Sequence, residues 1–436
     1  MPGETTTADG VVARRRNAIA TWCLLACIAV GALASTARGD VLWAGLGLAS
    51  ISVAAVPASA YRRWSATLPW EVSLFIAVPY LLQSFDLLLP RSVAAFLVVP
   101  ALALAVAVEF DAFTVVEMSP GFAVLFVVTT TMSAAGAWAV VQWTADLALG
   151  MDNLRGLYHV MWSLAAATGV GLFAGFLFAV YFRRVDRQRL GFWTAGERES
   201  SALAADSDAP EFETADSVSE GDDWLELSDR RQRRVVRGFQ VALVGILAVG
   251  LYELNVGVVV NVLVALAVME LPGLLERDFG LPIDARLTLW IVIPVFLHAV
   301  GSFGLYRMFG LWDNLTHALS SSLVAAAGYA TVRAFDVHDP RVYLPRKFVA
   351  GFILIFTLAF GVLWELLEFG LDGMASMTGT ESVLAQVSLA NTMSDLVFDL
   401  VGGVLVAVWG AAYLSGVSKS LADKLASEEE PEERSN

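Results

Sequence analysis

Three carboxylates, Glu365, Glu368 and Asp372, close an apolar run that begins near Lys347, in the stretch Trp364-Glu365-Leu366-Leu367-Glu368-Phe369-Gly370-Leu371-Asp372. At about 100° per residue they fall within an arc of roughly 60°, on one face of a single helix. An acidic side chain near a bilayer centre costs about 2.5–3.5 kcal/mol and less toward the interface, so such a cluster needs partners or water. Two further groups have the right chemistry. Asp313 and His317, and likewise Asp395 and Asp399, are spaced by four, which puts each pair on one helix face. His298 and Asn391 stand close by in sequence.

Asp, Glu and His without a thiolate suit a hard or borderline divalent cation, Mg²⁺, Mn²⁺ or Zn²⁺. On that reading Asp313, His317, Glu365, Glu368, Asp395 and Asp399 are the metal ligands, with His298, Asp372 and Asn391 in support. The same groups suit acid–base catalysis without metal, by Glu365, Glu368, Asp395, Asp399 and His317, because crowded carboxylates in a low dielectric share protons. They also suit a cation or proton relay. Plainer roles compete. Asp313 and Asn391 are both good helix N-caps, and His317, beside Ser320, Ser321 and Ser322, could be a polar contact between helices. His298 could be structural and Asp372 could sit in a loop. Gly402-Gly403 permits close helix packing, and Pro79, Pro272 and Pro294 mark kinks or helix ends.

The elements that carry these residues are apolar runs at about 18–36, 41–60, 71–89, 92–108, 121–148, 158–182, 236–253, 256–274, 287–308, 313–333, 347–370 and 392–414. The chain of 436 residues is 57% hydrophobic, with a mean hydropathy of +0.65. The expected fold is an all-α integral membrane protein of about twelve transmembrane helices, arranged six plus six. Expected divisions are a membrane half 1–182, an acidic linker 183–237, a membrane half 238–414 carrying the Asp/His/Glu site, and an acidic tail 415–436. The linker is hydrophilic, with Asp206, Asp208, Glu211, Glu213, Asp216, Glu220, Asp222 and Asp223.

With the N-terminus in the cytoplasm, the outside holds only Arg38, Arg91, Arg155 and Arg307, and the other 24 of the 28 Lys and Arg residues lie inside. Both termini and the linker are then cytoplasmic at the cell membrane. The starts of the tenth and twelfth helices and the end of the eleventh lie at one depth, in the extracytoplasmic third. A signal-like N-terminus, Arg14-Arg15-Arg16 and then an apolar run, reads as a retained first helix, because it is the counterpart of the seventh.

That equivalence comes from an internal match. Leu74-Phe75-Ile76-Ala77-Val78-Pro79 aligns with Leu289-Trp290-Ile291-Val292-Ile293-Pro294 at an offset of 215, Phe110-Asp111 with Phe335-Asp336 at 225, and Trp138 with Trp364 at 226. Growing offsets with jumps near loops are expected of a duplicated unit, and an even helix number gives both copies one orientation. Glu365 falls on Ala139, Glu368 on Gln142, Asp395 on His159 and His317 on Ser92, so the first copy is degenerate at the site.

The net charge of −15, with three lysines against 25 arginines, suits a cytoplasm of very high salt, hence a halophile, and excludes a basic nucleic-acid footprint. Cys23 and Cys27 read as small hydrophobes. From about Val235 to Leu414 the sequence resembles the YjdF-like family of uncharacterised polytopic membrane proteins. Matching motifs are His298-Ala-Val-Gly301 with Tyr306, Asp313-x-x-x-His317, Glu365-x-x-Glu368, and Asn391-Thr392-x-x-Asp395-x-x-x-Asp399-x-x-Gly402. The chain departs where the family tends to have Gly-Asp, since Ser388-Leu389-Ala390 precedes Asn391. More distantly the order of motifs is similar to VanZ-like membrane proteins. The resemblance implies one shared site without a settled reaction. The expected function is a metal-assisted intramembrane hydrolase or transferase acting on a lipid or lipid-linked substrate. Alternatives are a cation, proton or small-solute transporter, and a structural or partner-binding membrane protein.

Overall fold

A computed structural model describes residues 4–85, 91–184, 229–279, 285–338, 342–379, 382, 384 and 386–410. Most of the acidic linker and all of the acidic tail lie outside these residues. Among the described residues twelve long helices follow the apolar runs: α1 (Glu4–Ala37), α2 (Val41–Ala60), α3 (Trp70–Ser84), α4 (Arg91–Phe113), α5 (Pro120–Leu149), α6 (Leu157–Arg184), α7 (Asp229–Tyr252), α8 (Val256–Phe279), α9 (Ala285–Val300), α10 (Gly310–His338), α11 (Arg346–Thr378) and α12 (Leu389–Leu405). Helices satisfy every internal backbone hydrogen bond within the segment, which lipid demands. Ten of them are long and apolar enough to cross a membrane; α3, with 15 residues, and α10 with its polar start are the others. Pro57, Pro79, Pro272 and Pro294 all lie inside helices. Cys23 and Cys27 are unpaired.

The chain divides into two compact units. One comprises residues 1–135, 163–209 and 335–348; the other comprises 136–162, 210–334 and 349–436. In the first, Glu117 and Tyr343 exchange backbone hydrogen bonds of 2.9 and 3.0 Å in an isolated antiparallel bridge. Phe122 meets Phe348 at 6.0 Å, and the ring contacts Phe110 to Phe348 and Phe122 to Phe335 accompany it. In the second unit, Gly136 of α5 faces Val362 of α11.

The site belongs entirely to the second unit. There α7, α8 and α9 share a core of Leu243, Val258, Val262, Ala265, Met269, Val292 and Ala299. After Val300 the chain makes a π turn, Gly301–Leu305, and a short helical turn, Tyr306–Met308, before α10. Two glycines permit this. Gly304 has φ of 153°, in the region only glycine adopts readily, and a Cβ on Gly301 would collide with the Tyr306 ring, which folds back over it.

Helix α12 is set by its cap. Ser388 Oγ accepts from Asn391 N at 3.2 Å, so Thr392, Asp395, Leu396, Asp399, Gly402 and Gly403 form one buried stripe. Gly402 lets α12 touch α10 at Ala318, Ser321 and Ser322; Gly403 packs on Thr357 of α11, and Gly361 of α11 leaves room for the Asp399 carboxylate. Small residues of this kind allow the backbone proximity on which helix association in lipid depends. A Gly402→Leu substitution is therefore expected to lower stability by at least about 1–3 kcal/mol, read as a fall in the thermal unfolding midpoint in detergent. Gly351→Ala, on α11 with nothing near its Cβ position, should leave that midpoint unchanged or slightly raised.

Candidate functional site

The first turn of α10 and the stripe of α12 meet at the ring of His317. Its Nδ1 lies 3.1 Å from Asp399 Oδ1. Its Nε2 lies 3.8 Å from Asp313 Oδ1 and 3.9 Å from Asp395 Oδ1. An ionised carboxylate only accepts, so Nδ1 carries a proton and, in the neutral ring, Nε2 presents its lone pair toward the other two acids. Donor atoms of Asp313, His317 and Asp395 all lie within 4.8 Å of one another. Asp395 is 2% exposed, and its Oδ1 meets no hydrogen-bond donor among the described residues.

Asp313 and Asn391 do not act as N-caps. Asp313 sits inside the first turn of α10, and the cap of α12 is Ser388. Asn391 instead donates from Nδ2 to Asp313 Oδ2 at 2.6 Å, which leaves Oδ1 of the same carboxylate turned to His317. One residue along α10 and three along α12, Ser394 Oγ donates to Asn314 Oδ1 at 3.1 Å. These contacts fix the register of α12 on α10.

The acids of α11 approach from another side. Glu365, 1% exposed, accepts at Oε2 from Gln386 Nε2 at 3.3 Å, and the same nitrogen reaches Thr392 Oγ1 at 3.2 Å. Glu368 accepts at Oε1 from Trp364 Nε1 at 3.0 Å. Both glutamates lie within electrostatic reach of His317, and Glu368 also of Asp313. His298 Nδ1 shares a hydrogen bond with the Tyr306 hydroxyl at 2.7 Å, and the ring stands edge-on to Trp364 at 5.9 Å. The Tyr306 hydroxyl is also 3.4 Å from Thr316 Oγ1, which itself donates to the Asp313 carbonyl at 2.8 Å.

The structure thus draws Asp313, His317, Asp395 and Asp399 into direct contact and arranges Glu365, Glu368, His298 and Asn391 around them. It does not bring in Asp372, which is half-buried in α11 rather than in a loop and has no hydrogen bond or ion pair among the described residues. Gln386 and the hydroxyls of Thr316 and Thr392 complete the network. Gln386 carries no sequence signal, lying in the α11–α12 connection, whereas Tyr306 and Thr392 stand within the YjdF-like motifs.

The fold is that of a multi-pass helical membrane protein, and its second unit carries an Asp/His/Glu group. Residues 235–416 match the family described as predicted membrane protein (DUF2238), the YjdF-like family, so the resemblance of the second half holds over α9 to α12 and every acid and histidine of the cluster. Residues 6–67 match a domain of unknown function (DUF8268). No curated protein and no solved structure matches the chain.

The contacts rank the carboxylates. Asp399→Ala strips the His317 ring of its nearest partner inside the bundle and should destabilise the folded chain by about 1–3 kcal/mol, measured as thermal unfolding in detergent. Asp372→Asn should leave the unfolding midpoint within error of the parent.

Proposed function

We propose that Asp313, His317 and Asp395 hold a divalent cation, Mg²⁺, Mn²⁺ or Zn²⁺, and that this centre serves hydrolysis or group transfer on a lipid or lipid-linked substrate at the extracytoplasmic side of the cell membrane. The observation that carries this reading is the His317 ring, bound through Nδ1 to Asp399 with Nε2 turned to two carboxylate oxygens. A carboxylate behind a ligating imidazole fixes its tautomer and raises its basicity. Ligands about 2.0–2.2 Å from a tetrahedral ion stand roughly 3.3–3.6 Å apart, so the His317 Nε2 separations of 3.8 and 3.9 Å need close by only a few tenths of an ångström, and all three donor atoms already lie within 4.8 Å of one another.

A bound ion of this type polarises a substrate oxygen or activates water. Glu365 and Glu368, beside the ion rather than on it, are placed for proton transfer. The positive-inside bias supports the outward orientation. Transport draws less support, because alternating access builds its site between repeats, whereas the ligands here come from α10 and α12 alone.

The contact pattern also supports duplication of a six-helix unit. Glu117 and Tyr343, Phe122 and Phe348, and Gly136 and Val362 are each 226 positions apart, the offset that aligns Trp138 with Trp364. Each such position touches its own counterpart. Phe110 to Phe348 and Phe122 to Phe335 exchange under the same equivalence, with Phe110 aligned to Phe335.

Metal analysis of the purified full chain tests the ion: about one divalent equivalent is expected, lost in Asp395→Asn and His317→Gln and kept in Asp372→Asn. No bound ion under any condition would remove the metal and leave only acid–base chemistry; Glu368→Gln and Asp395→Asn without any phenotype would leave a structural role. For orientation, a cysteine introduced at Asn153 should react with an impermeant maleimide in intact cells, and one at Ser217 only after permeabilisation.

A further inference from the structure

A divalent ion accounts for Asp395 Oδ1, yet two more buried acceptors beside it have no donor. Glu365 Oε1 and Gln386 Oε1 are both unpaired among the described residues. The nitrogen side of the Gln386 amide is fully committed, since its two hydrogens face three acceptors, Glu365 Oε2 at 3.3 Å, Thr392 Oγ1 at 3.2 Å and Met161 Sδ at 3.3 Å. What this corner presents is therefore oxygen only, and none of the hydrogen bonds and ion pairs of the described residues brings a Lys or Arg to it. A lone carboxylate with an amide oxygen and a hydroxyl is a weak set for a second divalent ion, which favours several carboxylates. It matches a group with several N–H donors and one positive charge, the ammonium.

The surroundings fit the same ligand. Met161 belongs to the start of α6, where Tyr158 and Trp162 stand edge-on to Phe369 at 5.7 and 6.1 Å. Tyr158 and Trp162 are 69% and 56% exposed, the situation of aromatic residues at headgroup level. Aromatic faces also attract cations, whereas the carboxylates repel an anionic headgroup.

We propose that Glu365, Gln386 and Thr392 form a subsite for a primary ammonium group next to the divalent ion, and that the ammonium is carried by the headgroup of an aminolipid. This rests on the reading of the site as acting on lipid. The test is thermal unfolding of the purified full chain in detergent with short-chain phosphatidylethanolamine, phosphatidylcholine or phosphatidylglycerol, and with ammonium or tetramethylammonium chloride at fixed ionic strength. Phosphatidylethanolamine should raise the midpoint by a few degrees in a dose-dependent way, and the other two lipids should not. The shift should vanish in Glu365→Gln and in Gln386→Leu and persist in His317→Gln. Ammonium chloride reproducing the shift in the parent but not in Glu365→Gln would support the subsite with a free cation as its occupant. Equal shifts with all three lipids, a shift that survives in Glu365→Gln, or no shift with any probe would overturn it. Metal content of the same samples reports the divalent site separately, so either reading can fail alone.

Discussion

The contact between His317 and Asp399 is the constraint around which the second unit is arranged. Buried charge in lipid is tolerated only when it is paired and hydrogen-bonded, and this pair is 3.1 Å apart between helices 82 residues distant in sequence. To form it, α12 must approach α10 and α11 to backbone distance. Gly402, Gly403 and Gly361 make that approach sterically possible, and the Ser388 cap sets the rotation of α12 that turns Asp395 and Asp399 inward together. Once Asp399 occupies one nitrogen of the ring, the other is aimed at Asp313 and Asp395. Geometry, cap and glycines thus serve one arrangement.

Around this centre the backbone departs from ideality on one side. The π turn Gly301–Leu305 and the unusual φ of Gly304 return Tyr306 onto His298. Such π turns cluster at functional sites. Here the distortion brings a phenol hydroxyl between His298 and Thr316, the residue before His317.

Much of this was legible in the sequence. Hydropathy located the helices because lipid leaves the backbone no alternative, and the four-residue spacing of Asp313 with His317 and of Asp395 with Asp399 was enough to put each pair on one face. The pairing across helices was not legible: that His317 turns to Asp399 on one nitrogen and to Asp395 on the other depends on the crossing of α10 and α12, which glycines permit but do not specify. Asp313 and Asn391 read equally well as caps, because the residues that cap also hydrogen-bond side chains; the cap proved to be Ser388. Gln386 had no signal at all, being a neutral polar residue in a connection. Asp372 satisfied the helical spacing and still stands apart, since sharing a face with Glu365 does not reach the same partner two turns away.

In the proposed centre His317 Nε2 ligates a divalent ion together with carboxylate oxygens of Asp313 and Asp395. The most direct measurement is pulsed electron paramagnetic resonance of Mn²⁺ added to the purified full chain, which detects nitrogen nuclei bound to the ion. Coupling to a single imidazole nitrogen is expected, lost in His317→Gln and unchanged in His298→Gln. Mn²⁺ that shows only water, or an imidazole coupling that persists in His317→Gln, would contradict it.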